Sequence, residues 1–228
     1  MSNKEIATTT ENNEKKYVKS GAKYKIYSFF KRAIDLIFST IVIVCFSWLY
    51  LIIALAVKIS DGGPVFYLHK RLGKNGKEIV VPKFRSMKVN ADKVEKTLNK
   101  EQLKNYKQEY KVNDDPRITK LGAFLRKTSL DELPNVFAIF IGTLSIVGPR
   151  PIMKEEAISA YGKDMDKLLS VKPGMVGWWA VNGRNNRTYK TGERQALELY
   201  YVDHCSLWLD LKIFFKAIVC VFKKDGAQ

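Results

Sequence analysis

Histidine and cysteine are scarce in this chain, and their scarcity removes several chemistries. The 228 residues include two histidines, His69 and His204, far apart in sequence. A zinc centre or a Ser-His-Asp triad is therefore poorly supported. The three cysteines, Cys45, Cys205 and Cys220, form no C-x-x-C pair, and Cys45 lies in an apolar run, which argues against a disulfide framework. The polar part is expected to face a reducing compartment, and any acid, base or nucleophile falls to a carboxylate. Acidic residues are also short, 23 against 39 basic ones, for a formal net charge of +16. That charge asks for a negative partner: nucleic acid, anionic headgroups or a phosphorylated small molecule.

One long hydrophobic run is present, from Leu36 to Val57, with no charge inside it. It holds about fourteen Leu, Ile, Val or Phe residues, each favouring insertion by roughly 0.3 to 0.6 kcal/mol. It begins too far in, and is too long, for a signal peptide. The sequence thus predicts a flexible basic tail over 1–30, a membrane helix over 31–60 and a cytoplasmic domain over 61–228. Both flanks are basic, with Lys31 and Arg32 before the run and Lys58, Lys70 and Arg71 after it. A simple spanning helix shows lopsided charge, so a re-entrant helix with both ends at anionic headgroups is the alternative to a span. Asp35 either pairs with Arg32 one turn away or lies at headgroup depth.

Beyond the run, Asp61-Gly62-Gly63-Pro64 reads as a turn and Val65-Phe66-Tyr67 as a strand. Gly73-Lys74-Asn75-Gly76-Lys77 reads as the turn of a hairpin whose second strand holds Ile79-Val80-Val81. Lys83 and Arg85 then sit just past a strand end. Ala91 to Lys111 reads as a charged surface helix, and Ile118 to Lys127 as a basic amphipathic segment fit to lie on a membrane or over a phosphate. The fold class expected is α/β, mostly helical with a small β-hairpin, carrying interfacial amphipathic helices such as Ser206 to Phe222.

The string Ser129-Leu130-Asp131-Glu132-Leu133-Pro134 has two readings. Ser129 and Glu132 match a capping box, in which Asp131 merely complements the helix dipole. Pro134 opposes this, because a helix starting at Ser129 would need the amide that proline lacks. A later start leaves Asp131 and Glu132 at the helix entrance, where two carboxylates could share a hard cation such as Mg²⁺ with phosphate oxygens. In Gly148-Pro149-Arg150-Pro151 the prolines restrict the backbone around a guanidinium suited to forking onto phosphate. The loop of Trp178, Trp179 and Asn182-Gly183-Arg184 either stacks a base and clamps a diphosphate, or its tryptophans pack in the core or at a membrane interface. Asp210, between bulky apolar residues, is either paired in a site or turned to water.

These motifs in this order resemble the bacterial sugar transferase family, the monotopic phosphoglycosyl transferases or undecaprenyl-phosphate sugar phosphotransferases. The resemblance rests on Lys31-Arg32-x-x-Asp35, Gly63-Pro64-Val65-Phe66, Lys83-Phe84-Arg85-Ser86-Met87, Asp115-Pro116-Arg117, Ser129 to Asn135, Val147 to Pro151, Lys172-Pro173-Gly174, Val181 to Asn185 and Trp208 to Lys212. It implies an aspartate like Asp131 attacking a UDP-sugar, with Glu132 as its metal-associated partner and Mg²⁺ as cofactor. Lys83, Arg85, Arg150, Arg184 and Asp210 would bind substrate or phosphate. The implied partners are a UDP-sugar, undecaprenyl phosphate and inner-leaflet lipids at the cytoplasmic face of a bacterial membrane, without nucleic acid and with self-association left open. Galactose or glucose is the favoured sugar, an N-acetylated amino sugar the alternative, and a non-enzymatic tether or scaffold the reading from another class. The chain departs from the family where Ser47 is followed by Trp48 instead of proline, at Thr143-Leu144 and at Ala180. A bend without proline would need a serine bonded back to its own helix.

Overall fold

Helix α1 (Ala22–Cys45) and helix α2 (Ser47–Asp61) carry the apolar run in the computed structural model, which describes residues 21–91, 93–109, 112, 114–183 and 187–223. α1 starts inside the stretch read as tail; residues 1–20 of that tail lie outside the described ones. The helices meet at Phe46 with a bend of 64°. No single helix among the described residues is long and apolar enough to cross a membrane, whereas the bent pair together has the composition for a broken span or a re-entrant loop. The bend forms without proline. Ser47 Oγ donates to the Val44 carbonyl at 3.0 Å and Trp48 Nε1 to the Cys45 carbonyl at 3.1 Å, so side chains serve carbonyls around the break.

The root of α1 is fixed to the polar body, and here one expectation is corrected. Asp35 does not pair with Arg32. It is 2% exposed and accepts from the Ile146 amide at 2.9 Å and Ser145 Oγ at 3.0 Å. Arg32 instead donates to the carbonyls of Ile139 and Phe140, both at 2.7 Å. A guanidinium placed there satisfies carbonyls at a helix C-terminus and complements its dipole.

Strands β1 (Phe66–Leu72) and β2 (Glu78–Phe84) form the expected antiparallel hairpin, with Tyr67 opposite Lys83 and His69 opposite Val81. Asn75 and Gly76 turn it at φ of 60° and 74°, the region this dipeptide tolerates. Two short helices, α3 (Val94–Thr97) and α4 (Lys100–Glu109), occupy the charged segment, whose end at Lys111 lies outside the described residues. Helix α5 (Lys120–Lys127) is capped by Thr119, whose hydroxyl accepts from the Gly122 amide. A 3₁₀ turn over Leu130–Glu132 leads into α6 (Asn135–Ile141).

Strand β3 (Ser145–Val147) pairs in parallel with β4 (Gly174–Val176), across α7 (Lys154–Tyr161) and α8 (Met165–Leu168). Helices α9 (Glu193–His204) and α10 (Leu207–Lys223) complete a mostly helical fold with two small sheets among the described residues. The main core gathers Ile139, Leu144, Ile146, Ile152, Tyr201 and Ile213. A second core joins Ile53 and Val57 of α2 to Phe84 and Leu125, with Leu130 and Leu133 packed against it. Burial of each such side chain stabilises by about 1.5 to 3 kcal/mol, so the far end of the bent pair is also anchored to the polar body.

Candidate active site

The second core sets the position of the acidic pair, because its apolar members alternate with the polar ones. In β2 Phe84 turns inward while Lys83 takes the opposite face; in α5 Leu125 is buried beside Arg126; in the 3₁₀ turn Leu130 packs inward beside Asp131. Lys83 Nζ reaches Glu132 Oε1 at 2.5 Å, and Arg126 Nε donates to Ser86 Oγ at 2.8 Å. The capping box is absent. Ser129 has φ 57° and its side chain makes no cap bond, so the two carboxylates project from a separate turn ahead of α6. A non-glycine residue at positive φ costs conformational energy, and such positions cluster at functional sites.

Asp131 is 7% exposed. Burial pushes its carboxyl above the usual range; Lys83 opposes that shift, Glu132 adds to it and Arg126 opposes it. The combination is a carboxylate stripped of water yet held among cations, the environment a nucleophile needs toward an anionic substrate. Among the described residues there is no group of three or more His, Cys, Asp or Glu side chains able to hold a metal. Two adjacent carboxylates do fit Mg²⁺, which takes one or two carboxylates and fills its shell with water and phosphate oxygens.

Arg150 stands on the loop between β3 and α7, and its position is fixed by backbone packing. Gly148 N donates to Val176 O at 2.9 Å and Gly174 N to Pro149 O at 2.8 Å. A Cβ on Gly174 would stand 2.0 Å from Gly148 N, so this approach requires glycine. The Arg150 amide donates to both oxygens of Glu198, at 3.4 and 3.3 Å. Glu198 is buried, which pushes its pKa up to about 7 although Arg194 works against the shift.

The remaining sequence candidates separate. Arg85 is buried in an ion pair with Asp61 and lies against the Gly63 backbone, which ties it to the end of α2. Asp210 is paired, with Lys31 Nζ at 2.7 Å, Tyr201 Oη at 2.7 Å and Tyr27 Oη at 2.9 Å, so its contacts join α10 to α1. Arg184 lies outside the described residues, as do Asn185 and Asn186. Trp179 packs in the core, its ring 4.0 Å from the guanidinium of Arg194, while Trp178 stacks on Tyr200.

Sequence reasoning singled out neither Arg126, His69 nor Arg71 as site residues. Arg126 was visible only as part of a basic amphipathic helix. His69 and Arg71 lie on alternate residues of β1, and the hairpin register puts them on the face that carries Lys83. Arg71 Nη1 binds Glu156 Oε2 at 3.3 Å, and Glu156, fully buried, also accepts from Tyr189 Oη at 2.6 Å and Arg194 Nη2 at 3.4 Å.

The family model described as Bacterial sugar transferase matches residues 26–224. The undecaprenyl-phosphate galactose phosphotransferase of Salmonella typhimurium is 42% identical over 207 residues, covering 87% of this chain and 42% of that protein. The UDP-glucose:undecaprenyl-phosphate glucose-1-phosphate transferase of Escherichia coli is 39% identical over 208 residues, covering 86% of this chain and 41% of its own length. The chain therefore spans about two fifths of these longer relatives. The exopolysaccharide production protein ExoY of Rhizobium meliloti is 39% identical over 211 residues, 91% of this chain and 92% of the relative. A match of this extent, on a chain whose buried aspartate stands among cations beside a second carboxylate, establishes that the protein belongs to the bacterial sugar transferase family.

Proposed function

We propose that the protein is a phosphoglycosyl transferase that moves a hexose 1-phosphate, from UDP-galactose or UDP-glucose, onto undecaprenyl phosphate. This step would begin an exopolysaccharide or capsule glycan. The buried Asp131, within the electrostatic reach of Lys83 and Arg126 and next to Glu132, carries the reading. The names of the relatives supply the substrate classes.

In the first step Asp131 Oδ attacks the β-phosphorus of the UDP-sugar. The bridging P–O bond breaks, its electron pair leaves on UMP, and an aspartyl phosphosugar remains. In the second step an oxygen of undecaprenyl phosphate attacks the same phosphorus, the acyl phosphate bond breaks, and the Asp131 carboxylate is regenerated. Splitting the transfer in two keeps the two anionic substrates from having to meet directly. Lys83, Arg126 and Arg150 offset charge on the phosphoryl oxygens, and Arg184 joins them by family resemblance. Asp131 and Glu132 would hold Mg²⁺, whose charge would supply electrostatic shielding of phosphate oxygens.

The membrane reading is a re-entrant pair entering from, and returning to, the cytoplasmic face. Arg32 and Asp35 bind the root of α1 to the polar body, and Ile53 and Val57 seat α2 on the same body. Two ends fixed to one body lie on one side of a bilayer. Side chains such as Ile41, Trp48 and Leu51 between them remain exposed, as apolar surface of this kind does where it meets lipid.

UMP release from UDP-sugars in lipid discs, with undecaprenyl phosphate and Mg²⁺, tests the reading by comparing wild type with Asp131→Asn. UMP from the wild type alone is expected. Release at the full rate in EDTA would remove the metal from the account. Folded wild type that forms no UMP from any sugar would favour a tether or scaffold.

A further inference from the structure

The hairpin face beside Lys83 carries a group that the transfer chemistry does not use. His69 Nδ1 lies 3.2 Å from Arg71 Nη2. A guanidinium has only N–H donors, so this contact requires a lone pair on Nδ1. His69 is therefore the neutral tautomer, with its proton on Nε2. The tautomer is held from below, because Arg71 is fixed by Glu156 and Glu156 by Tyr189 and Arg194. The edge-on ring of Tyr67, 5.2 Å away, packs on the imidazole from the preceding position on the same face.

The cations whose charge acts on His69 include Arg71, Lys83 and Arg150. Burial, with those cations around it, pushes the imidazole pKa down to about 3, so it gains no proton at neutral pH. Lys83, although paired with Glu132, and Arg150 supply positive charge toward a diphosphate. A neutral N–H among them adds direction without charge, which suits a hydroxyl group. A donor left unmatched, half-buried as His69 is, discriminates against a substrate whose hydroxyl is absent or turned away.

We propose that His69 Nε2 donates a hydrogen bond to a hydroxyl of the transferred sugar, and that this contact sets which UDP-sugar the enzyme accepts. The proposal rests on the transferase reading above and adds to it a residue for sugar recognition. Arg71 is then a positioning residue, acting through the imidazole it orients.

The test compares wild type, His69→Ala and His69→Gln in UMP release from UDP-galactose, UDP-glucose and UDP-N-acetylglucosamine. Loss of one neutral hydrogen bond is expected to lower the ratio of kcat/KM between the best and second-best sugar by about tenfold in the alanine variant. Glutamine retains an N–H donor and is expected to restore much of that ratio. An equal loss for all three sugars would mean a contact to phosphate or a general defect, and would overturn the proposal, as would no change. Nuclear magnetic resonance of ring-labelled protein gives a reading independent of turnover, since only His69 and His204 contribute. The His69 Nε2 signal should shift with the preferred UDP-sugar and not with UDP; an equal shift with UDP would also overturn it. A wild type that neither releases UMP nor binds UDP-sugar would fail the transferase reading itself, and the role of His69 with it.

Discussion

Replacing Asp35 by alanine tests how the membrane helices are joined to the catalytic body. The carboxylate accepts from the Ile146 amide and from Ser145 Oγ, and it is 2% exposed, so water cannot replace it for either donor. Hydrogen bonds to a charged acceptor contribute about 1.5 to 3 kcal/mol each, and stranded buried donors cost on the same scale. Removing the carboxylate also removes the cost of burying it, which offsets part of the loss. The net is a destabilisation of about 3 kcal/mol. For a chain of this size roughly 2 to 4 °C accompanies each kcal/mol, so Asp35→Ala should lower the melting temperature by about 6 to 12 °C in lipid discs. Asparagine keeps one acceptor oxygen and should lose only about 1 kcal/mol. The damage should reach the site as well, since Ser145 and Ile146 begin the strand that leads to Arg150. An Asp35→Ala protein melting within about 2 °C of wild type would refute the reasoning and restore the headgroup position.

Lys83→Met should leave the fold intact and lower kcat by about 10² to 10³, because it removes a cation from both Glu132 and the developing phosphoryl charge; a change under about threefold in UMP release would place the lysine outside the site. Glu198 gives a pH dependence. Its pKa is raised on folding, from 4.5 to about 7, so its contribution to stability is full below about 4.5 and is lost as pH rises through 7. The melting temperature should therefore fall between pH 5 and pH 8, and Glu198→Gln, which can still accept from Arg150, should flatten that fall; an unchanged slope would contradict it. In a background with Cys45, Cys205 and Cys220 replaced, single cysteines at Lys23 and Lys58 should react with a membrane-impermeant maleimide from the same side of sealed vesicles. Reaction from opposite sides would establish a span.

The legible parts of this molecule are those whose signal is local. The hairpin announced itself through Asn75-Gly76, and α10 through the spacing of its apolar residues. The acidic pair was legible as a choice between a cap and a site, and Pro134 argued against the cap, which Ser129 does not make. Long-range partners were not legible. The sequence offered Arg32 as the partner of Asp35, because it lies one turn away; the fold gives Asp35 to Ser145 and Ile146, more than a hundred residues later. The parallel pairing of β3 with β4 is missed for the same reason, since three-residue strands have too little alternation to read. Arg85 and Asp210 looked alike in sequence, each a charge in a family motif, yet burial commits Arg85 to Asp61 and Asp210 to Lys31. His69 was discounted because it had no second histidine nearby, and its contact with Arg71 emerges only once the strand places both on one face.

The central claim is that Asp131 becomes covalently attached to the phosphosugar. Incubating the enzyme with UDP-sugar labelled at the β-phosphate, without undecaprenyl phosphate, tests it directly. The account predicts label on the wild-type protein, mapped to the peptide holding Asp131, with UMP released in equal amount, no label on Asp131→Asn, and discharge when undecaprenyl phosphate is added. A wild type that forms labelled lipid when acceptor is present, but never carries label itself, would contradict the covalent step and require direct transfer between the two substrates.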